Sequence, residues 1–589
     1  MTPNDFYTEN IKIFETQISA LKKRIFALSM LRLFVFLAMA ASVYFFFRNS
    51  QLILIALSVG FILFLLLVNQ YSNLKNKLKY LNKIHQLNQL EIKVSNGDLS
   101  ELENGNQYIF EGHHFNQDID LFGEGSLFQI INRTATKNGQ KQLAAWLNSN
   151  NIDQIKEKQK ATQEIAEKAN WRQNYTTIAA LIESDVESDT ITQWVHSYKA
   201  FTPNIFKWVP ILFSILSFIG ILCYWVGFIN GYILLTWFLF GLGITGRYLK
   251  KTTDLYNITS KINDFFAQYA QLLLSIEKEE FESELLQNWG NSIKTSGINA
   301  SERLNELAKE IDLLSNRNNM IFAPLANGFL LWDLRYTYRI EKWIKKFDNT
   351  MIDWFSIVEM FDAMNSFGNF GFNQKNYVYP TVQSDHKIQL DVKDIGHPLL
   401  DATKMVKNSI KVHNDDFFIV TGANMAGKST FLRTIAINLV LANCGLPVCA
   451  ESFAYRPIKL ISSMRTSDSL LNDESYFFSE LKRLKFIIEA IKKESYFIIL
   501  DEILKGTNSK DKAEGSQKFI EKLVNSSATG LLATHDLSIC AMEKKLPQIR
   551  NYYFEASIIK NELHFDYKIK KGVCQNMNAS FLLHKMKII

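Results

Sequence analysis

The stretch "FFIVTGANMAGKSTFLRTIAINLVLA" (417–442) decides the fold of the C-terminal part of the chain. Its first residues, 417–422, are apolar with β-branched members, which predicts a buried strand, and 429–442 predicts a helix. The residues between them that fit the pattern G-x-x-x-x-G-K-[ST] are Gly422, Gly427, Lys428, Ser429 and Thr430. Strand, glycine-rich turn and helix form the context that a phosphate-binding loop requires, so the sequence predicts a nucleotide site here.

The residue types of this loop suit phosphate chemistry. Glycines allow backbone N–H groups to surround phosphate oxygens, and the N-terminus of the following helix adds a positive dipole. Lys428 is predicted to reach the β- and γ-phosphates, and the hydroxyl of Ser429 to ligate Mg²⁺. The predicted ligands are therefore ATP and Mg²⁺.

Two later segments supply further candidate site residues. "SYFIILDEILKGTNS" (495–509) reads as an apolar strand that ends in Asp501 and Glu502. Asp501 is a candidate Mg²⁺ contact and Glu502 a candidate general base for the attacking water. "GLLATHDLS" (530–538) reads as another buried strand, and His535 after it is a candidate sensor of the γ-phosphate or holder of the water. The simpler alternatives are a surface acidic pair and a structural histidine.

Four apolar stretches resemble membrane spans. The first pair covers about 27–47 and 52–68, and the second pair, within 206–248, covers about 208–228 and 232–245. About 20 apolar residues are needed to cross a bilayer as a helix, so 52–68 and 208–228 fit best and 232–245 is short. Buried core helices are the alternative for all four, and a signal peptide is a weaker alternative for the first.

Basic residues flank both pairs on the same side. They are Lys22, Lys23, Arg24, Lys75, Lys77 and Lys79 around the first pair, and Lys207, Arg247, Lys250 and Lys251 around the second. The positive-inside rule places these flanks in the cytoplasm. The sequence thus predicts a multi-pass protein of the inner (cytoplasmic) membrane with its soluble domains in the cytoplasm.

Bulk composition limits the class of protein only broadly. At 589 residues the chain is long enough for several domains. A formal net charge of +6 indicates little about nucleic acid. The five cysteines contain no C-x-x-C, which argues against a zinc site or a disulfide framework and fits a reducing compartment.

The middle of the chain is predicted to be helical. Helical spacing puts Leu74, Leu78, Leu81, Ile84 and Leu87 on one face, and Leu304, Leu307, Ile311 and Leu314 on another. A plain helical bundle explains these segments. The predicted divisions are 1–72 with the first hairpin, 73–205 as a helical region, 206–248 with the second hairpin, 249–385 as a helical core or lever, and 386–589 as the α/β domain.

Taken together, these motifs resemble the MutS family of ABC-type ATPases. "TGANMAGKSTFLRTIA" is similar to that family's "TGPNMGGKST", including Asn424, and "LDEILKGTNSKD" (500–511) is similar to its "MDEIGRGTS". "ATHD" (533–536) resembles the "ATH" element, and "GHPLL" (396–400) resembles the "RHP" turn, with His397 and Pro398 retained. Residues 121–147 and 358–370 resemble the start of the family's helical core and the end of its levers. The resemblance covers roughly 115–589, apart from the second hairpin.

The resemblance implies an α/β P-loop (ABC-type) ATPase domain after an all-α core and lever region. It also implies a homodimer that sandwiches ATP, with Asn424 in the ATP site and Ser475 contacting the γ-phosphate of the partner subunit. Near Ser475 the sequence departs from the family, since Glu474 and Tyr476 replace the usual Arg and Thr. The N-terminal mismatch-reading domain with its Phe-x-Glu wedge is missing from the pattern, and "FSE" (478–480) is interpreted as core. Little room remains for a DNA clamp between Thr253 and Asp362.

Three functions stay open at this point. The leading hypothesis is a membrane-anchored, dimeric, ATP-hydrolysing clamp that acts on DNA in a mismatch-repair-like or recombination-related role. A membrane scaffold with a regulatory ATPase and no DNA substrate is the main alternative. An ABC-type transporter is disfavoured, because the sequence has no "LSGGQ"-type signature and its spans are split into separate hairpins.

Overall fold

The computed structural model describes residues 2–110, 112–182, 187–295, 298–384, 387–464, 476–559 and 562–575. In these ranges the α-helices are α1 (Pro3–Phe45), α2 (Ser50–Ser95), α3 (Leu127–Ile131), α4 (Lys137–Asn148), α5 (Ile155–Glu167), α6 (Ala169–Ala179), α7 (Ser188–Ser197), α8 (Val209–Trp225), α9 (Gly231–Lys278), α10 (Glu284–Ser292), α11 (Ala300–Ser315), α12 (Phe322–Leu330), α13 (Trp332–Asn373), α14 (Lys428–Asn443), α15 (Tyr476–Ile491) and α16 (Ser509–Asn525).

The strands are β1 (Lys294–Thr295), β2 (Ile298–Asn299), β3 (Thr381–Val382), β4 (Ile388–Ile395), β5 (Asn408–His413), β6 (Phe417–Gly422), β7 (Ser452–Tyr455), β8 (Lys459–Ser463), β9 (Tyr496–Asp501), β10 (Thr529–Ala533), β11 (Ile549–Ile559) and β12 (Glu562–Lys571). A helical N-terminal region through α13 is therefore followed by an α/β C-terminal region, as the sequence predicts.

The first two helices form an antiparallel hairpin. Thr2 caps α1 in a capping box with Asp5, and Asn49 caps α2 by accepting a hydrogen bond from the Leu52 N–H. Near the open end, Ile18, Leu21 and Leu81 bury their side chains between the two helices. The predicted apolar face of α2 is thus partly used inside the hairpin, with Leu74 and Leu78 packed against this cluster.

Toward the turn of the hairpin the apolar side chains are exposed instead. Phe47 is 80% exposed and Leu54 69% exposed, so this surface lacks the burial that a core helix would show. By length and composition, α1, α2 and α9 are each long and apolar enough to cross a membrane.

The second apolar pair differs in detail from the sequence analysis, which favoured 208–228 over 232–245 as a span. The segment 208–228 forms the 17-residue helix α8, which starts next to Pro210 and is followed by Gly227 at φ +84°. The segment 232–245 is instead the beginning of the 48-residue helix α9. Helix α9 is long because its amphipathic C-terminal part continues without a break and packs its apolar side chains into the helical core.

Two predicted domain boundaries fall inside continuous helices. Helix α2 runs through 72–73 and α9 runs through 248–249. The domain division as a whole stays a prediction, but the apolar parts of α2 and α9 continue into the helical region as uninterrupted helix.

The helical region is built around α13, which has 42 residues and a length of about 63 Å. Asp362 on α13 is fully buried and accepts hydrogen bonds from the backbone of Ala135 and from the backbone and hydroxyl of Thr136, at the start of α4. Leu304, Leu307, Ile311 and Leu314 of α11 are buried in the same core, as their spacing predicts.

A six-stranded sheet forms the centre of the α/β region. Its strand order is β12-β11-β6-β10-β9-β8, and all neighbours are parallel except β11 and β12. A second sheet has the order β3-β7-β4-β5. One face of the main sheet shares a continuous apolar core with α14 and the helical region. The strands β6, β9 and β10 lie where the sequence predicts strands.

Candidate active site

The candidate site lies at the carboxyl edge of the main sheet. Strands β6, β10 and β9 are adjacent and parallel, and Ala533 pairs with Val420 on one side and with Asp501 on the other. The three segments that the sequence analysis selected therefore end at the same edge. In open α/β sheets this edge is where ligands bind.

The glycine-rich loop between β6 and α14 needs its glycines. Gly422 and Gly427 have φ of +145° and +100°. A Cβ on Gly422 would lie 2.6 Å from the Phe554 carbonyl oxygen, and one on Gly427 would lie 3.0 Å from the Tyr567 ring. Met425 in the same loop also has a positive φ, +67°, although it is not a glycine. The loop backbone thus lies so close to Phe554 and Tyr567 that the two glycine positions have no room for a side chain.

Lys428 folds back onto this loop. Its Nζ donates hydrogen bonds to the carbonyl oxygens of Gly422 (2.9 Å) and Ala423 (3.0 Å), and the residue is only 5% exposed. Burial lowers the pKa of Lys428, while the charges of Glu502 and Asp501 oppose that shift. An ammonium group so placed is ready to exchange carbonyl oxygens for the oxygens of an anion.

Glu502 and His535 meet directly beside this lysine. The ring nitrogen Nε2 of His535 lies 2.7 Å from Oε1 of Glu502 and 3.4 Å from Nζ of Lys428. Lys505 adds a weaker contact to Glu502, at 3.7 Å. The hydrogen bond from His535 lowers the pKa of Glu502 to about 2, against the effect of burial. Glu502 is therefore a carboxylate at neutral pH.

The two predicted Mg²⁺ ligands occupy different elements of the site. Ser429 is in the first turn of α14, and Asp501 is the last residue of β9. Among the residues that the structure describes, no group of three or more His, Cys, Asp or Glu side chains is suited to hold a metal ion. A Mg²⁺ ion here would accordingly depend on a hydroxyl, a carboxylate, water and phosphate oxygens, which is the coordination that this ion commonly has beside nucleotides.

A cavity of about 550 Å³ opens next to the loop. Predicted site residues on its wall are Asn424, Gly427, Lys428, Ser429, Thr430 and Glu502. His397 and Tyr567 also line the cavity, and neither is among the site residues predicted from the sequence. His397 had a signal in the quoted "GHPLL" turn, whereas Tyr567 stands on the distant strand β12 without a recognisable motif. Burial lowers the pKa of His397 to about 4, so its ring is neutral at pH 7.

Helix α15 links this site to the helical region. The interpretation of "FSE" (478–480) as core is wrong for Phe478, which is 50% exposed. Glu480 is only 3% exposed and accepts hydrogen bonds from the backbone N–H groups of Leu504 and Lys505. On the same helix, Arg483 donates to the carbonyl oxygens of His113 and His114. Ser475, the predicted contact to a partner subunit, lies outside the described residues.

These features define a class of α/β domain in which a glycine-rich loop, an acidic strand end and a histidine converge at one edge of a parallel sheet. Comparison with known families agrees with this description: the model of MutS domain V matches residues 418–586. The α/β region of this chain is thus similar to domain V of the MutS family.

Relatives of known identity show the same similarity over part of their length. Human "MutS protein homolog 4" is 31% identical over 232 residues, which are 38% of this chain and 24% of that relative. "DNA mismatch repair protein MutS" of Staphylococcus haemolyticus (strain JCSC1435) is 30% identical over 250 residues, which are 41% of this chain and 28% of that relative. The matched part thus spans about a quarter of the length of these curated relatives.

Proposed function

We propose that this chain binds ATP with Mg²⁺ and hydrolyses it to ADP and phosphate at the site described above. The convergence of Lys428, Glu502 and His535 on one glycine-rich loop carries the proposal. A cavity of about 550 Å³ falls within the size range of small-molecule sites.

The proposed binding mode uses the loop for the phosphates. The N–H groups of the loop and the N-terminus of α14 would surround the phosphate oxygens, with Lys428 moving from its carbonyl partners to the β- and γ-phosphates. Ser429 and Asp501 would hold Mg²⁺, while Gly422, Asn424 and Thr430 would complete the phosphate site. The exposed ring of Tyr567 and the neutral ring of His397 are suited to contact the base.

In the proposed hydrolysis, Glu502 and His535 act on the attacking water. A carboxylate whose pKa is about 2 is a weak proton acceptor, so its main contribution would be to orient and polarise the water while His535 fixes its position. Nucleotide binding would have to loosen the contact between Glu502 and His535 before Glu502 could accept the proton. Glu502 would therefore act as a proton acceptor only after ATP has bound.

We propose further that the active form is a homodimer, with Ser475 of each subunit contacting the ATP of the other. Family resemblance supports this arrangement. Helix α15 starts directly after Ser475 and is tied to the segment that follows Glu502 through Glu480. Closure of the dimer on ATP would therefore act on the catalytic segment as well as on the phosphate.

The proposed location is the inner (cytoplasmic) membrane. The length and apolar character of α1, α2 and α9 support it, as do the exposed apolar side chains at the turn of the first hairpin. The basic flanks support a cytoplasmic position for the α/β domain. Helix α8 is too short to cross a bilayer of about 30 Å without help, at about 25 Å.

DNA is the proposed macromolecular partner, and this proposal rests on the match to MutS domain V and on the similarity to a DNA mismatch repair protein. A membrane scaffold whose ATPase regulates protein binding is the alternative outcome, and transport is the least supported one. DNA bound through backbone phosphates should dissociate steeply as salt increases.

The test uses the full chain in detergent. Glu502→Gln should retain ATP binding and lose about 10²-fold or more of its turnover, while Lys428→Ala should lose binding. Unchanged turnover in Glu502→Gln would remove Glu502 from the proposed role. ATP-sensitive, salt-dependent binding to duplex or mismatched DNA would support a DNA partner, and its absence from an active ATPase would favour the scaffold.

A further inference from the structure

A third apolar element packs against the second apolar pair. Residues 320–332, "MIFAPLANGFLLW", contain a single polar side chain, Asn327, and include helix α12. Three apolar side chains of this segment are strongly exposed: Met320 at 91%, Ile321 at 78% and Leu325 at 52%. This segment connects α11 to α13 at the far end of the long helix from the α/β domain, and the sequence analysis assigned it no membrane role.

Helix α12 contacts α8 and α9 closely. A Cβ on Gly241 of α9 would lie 2.2 Å from the Gly328 carbonyl oxygen of α12, so the two backbones touch. The rings of Phe238 and Phe329 lie 5.2 Å apart just beyond this crossing. Close backbone approach at small residues is typical of helix packing inside membranes.

The position of this contact along α9 gives its depth. Arg247 is the first charged residue after the apolar part of α9 and marks the cytoplasmic boundary of the proposed span. Gly241 precedes it by six residues, about 9 Å along the axis, and Phe238 by nine residues, about 13 Å. Half of a hydrocarbon core is about 15 Å thick. The contact surface of α12 therefore lies at the depth of the cytoplasmic leaflet.

Polar contacts close the segment on its cytoplasmic side. Arg317 forms a buried ion pair with Asp333 (3.3 Å), which joins the chain before α12 to the chain after it. Arg317 also donates to Thr253, and Asn318 donates to the Tyr256 hydroxyl, both on the part of α9 beyond Arg247. The charged and polar contacts of Arg317, Asn318 and Asp333 thus lie on the cytoplasmic side, and the apolar surface of α12 lies on the side of the proposed membrane.

We propose that the segment 320–332 inserts into the cytoplasmic leaflet, where lipid acyl chains cover Met320, Ile321 and Leu325. The inference rests on the proposed membrane embedding of α8 and α9, with which the exposed apolar surface of α12 is continuous. Helix α12 has nine residues and enters one leaflet without crossing the bilayer. The tip of the α11–α13 lever is thereby a lipid-bound element, and α13 connects it in one helix to the α/β region.

The test measures lipid contact at single labelled positions of the full-length protein in nanodiscs. An environment-sensitive fluorophore is attached at Met320→Cys in a Cys223→Ser background, since the remaining cysteines are buried. Lipids brominated either near the headgroup end or near the methyl end of the acyl chain serve as quenchers. Leu235→Cys on α9 reports the proposed span, and Asn305→Cys on the exposed face of α11 is the solvent control.

The proposal expects quenching at Met320 within roughly twofold of that at Leu235, stronger with bromine near the headgroup end, and no quenching at Asn305. Quenching at Leu235 without quenching at Met320 overturns the proposal and leaves the membrane span intact. A fluorophore at Met320 that is shielded from water but not quenched also overturns it, and indicates a second copy of the chain on this surface. Absence of quenching at both positions refutes the membrane embedding and the inference with it.

Discussion

Replacing Glu480 by alanine should lower the rate of ATP hydrolysis, because Glu480 holds the backbone segment that positions Glu502. The carboxylate of Glu480 accepts the N–H groups of Leu504 and Lys505 and is almost fully buried. Within the same segment, Glu502 and Leu504 have φ of +53° and +59°. These left-handed conformations each cost about 1–2 kcal/mol for residues other than glycine, so the segment keeps its shape only while its hydrogen bonds hold it.

The size of the effect follows from these two contributions. Each N–H group that loses its buried partner costs about 1–3 kcal/mol. With two such groups released, the strained segment should relax toward ordinary backbone angles and move the Glu502 carboxylate. A displacement of 1 Å at a catalytic group costs about 10²-fold in rate. We therefore expect Glu480→Ala to lower kcat for ATP by about 10- to 100-fold, with little change in KM.

Phosphate release by purified protein in detergent measures this change. Glu489→Ala is the matched control, because Glu489 is an exposed residue of the same helix whose ion pair with Lys485 is long, at 3.8 Å. Glu480→Gln retains one acceptor oxygen and should give an intermediate rate. Folded Glu480→Ala protein with a turnover equal to that of Glu489→Ala would refute the reasoning.

Two further predictions concern hydrogen-bonded carboxylates, the partly exposed Glu502 and the buried Asp362. The pKa of Glu502 is lowered to about 2 from an ordinary 4.5, so the stabilisation from its pair with His535 is complete above pH 4.5 and is lost as pH falls toward 2. Urea unfolding at pH 7 and at pH 3 should show a loss of unfolding free energy of at most about 3 kcal/mol at the lower pH. This loss should be absent from Glu502→Gln. Asp362→Ala should lower the free energy of unfolding by roughly 3 kcal/mol or more, because the donors of Ala135 and Thr136 lose their acceptor. Urea unfolding of Asp362→Asn, which keeps an acceptor oxygen, should show a smaller loss. Equal stability of the unchanged protein, Asp362→Ala and Asp362→Asn would contradict this account.

The features that the sequence predicts best depend on local pattern. Strand, glycine-rich loop and helix follow one another in 417–442, so their order and bounds could be predicted from the residues alone. Glu502 and His535 could be placed at one edge because parallel strands end together. The helical face of α11 follows from spacing, since Leu304 and Leu307 repeat on one side.

The features that the sequence did not predict depend on contacts between distant segments. Tyr567 reaches the cavity only because β12 pairs with β11 at the edge of the sheet. Glu480 lies in a helix pattern that fits a plain core residue, and its backbone partners become evident only in the fold. The apolar segment at α12 is too short to be detected as a span, and its surroundings come from α8 and α9.

Helices α2 and α9 each continue without a break from an apolar part into the helical region, and this continuity fixes the distance between the two. Val68 and Glu91 are about 35 Å apart along α2, and Thr245 and Ile276 are about 46 Å apart along α9. A continuous helix can tilt as a rigid unit, but its length along the axis does not change. In the proposed membrane arrangement these two helices would hold the candidate active site at a nearly constant distance from the lipid surface, and a macromolecular partner must fit into the space between the site and that surface.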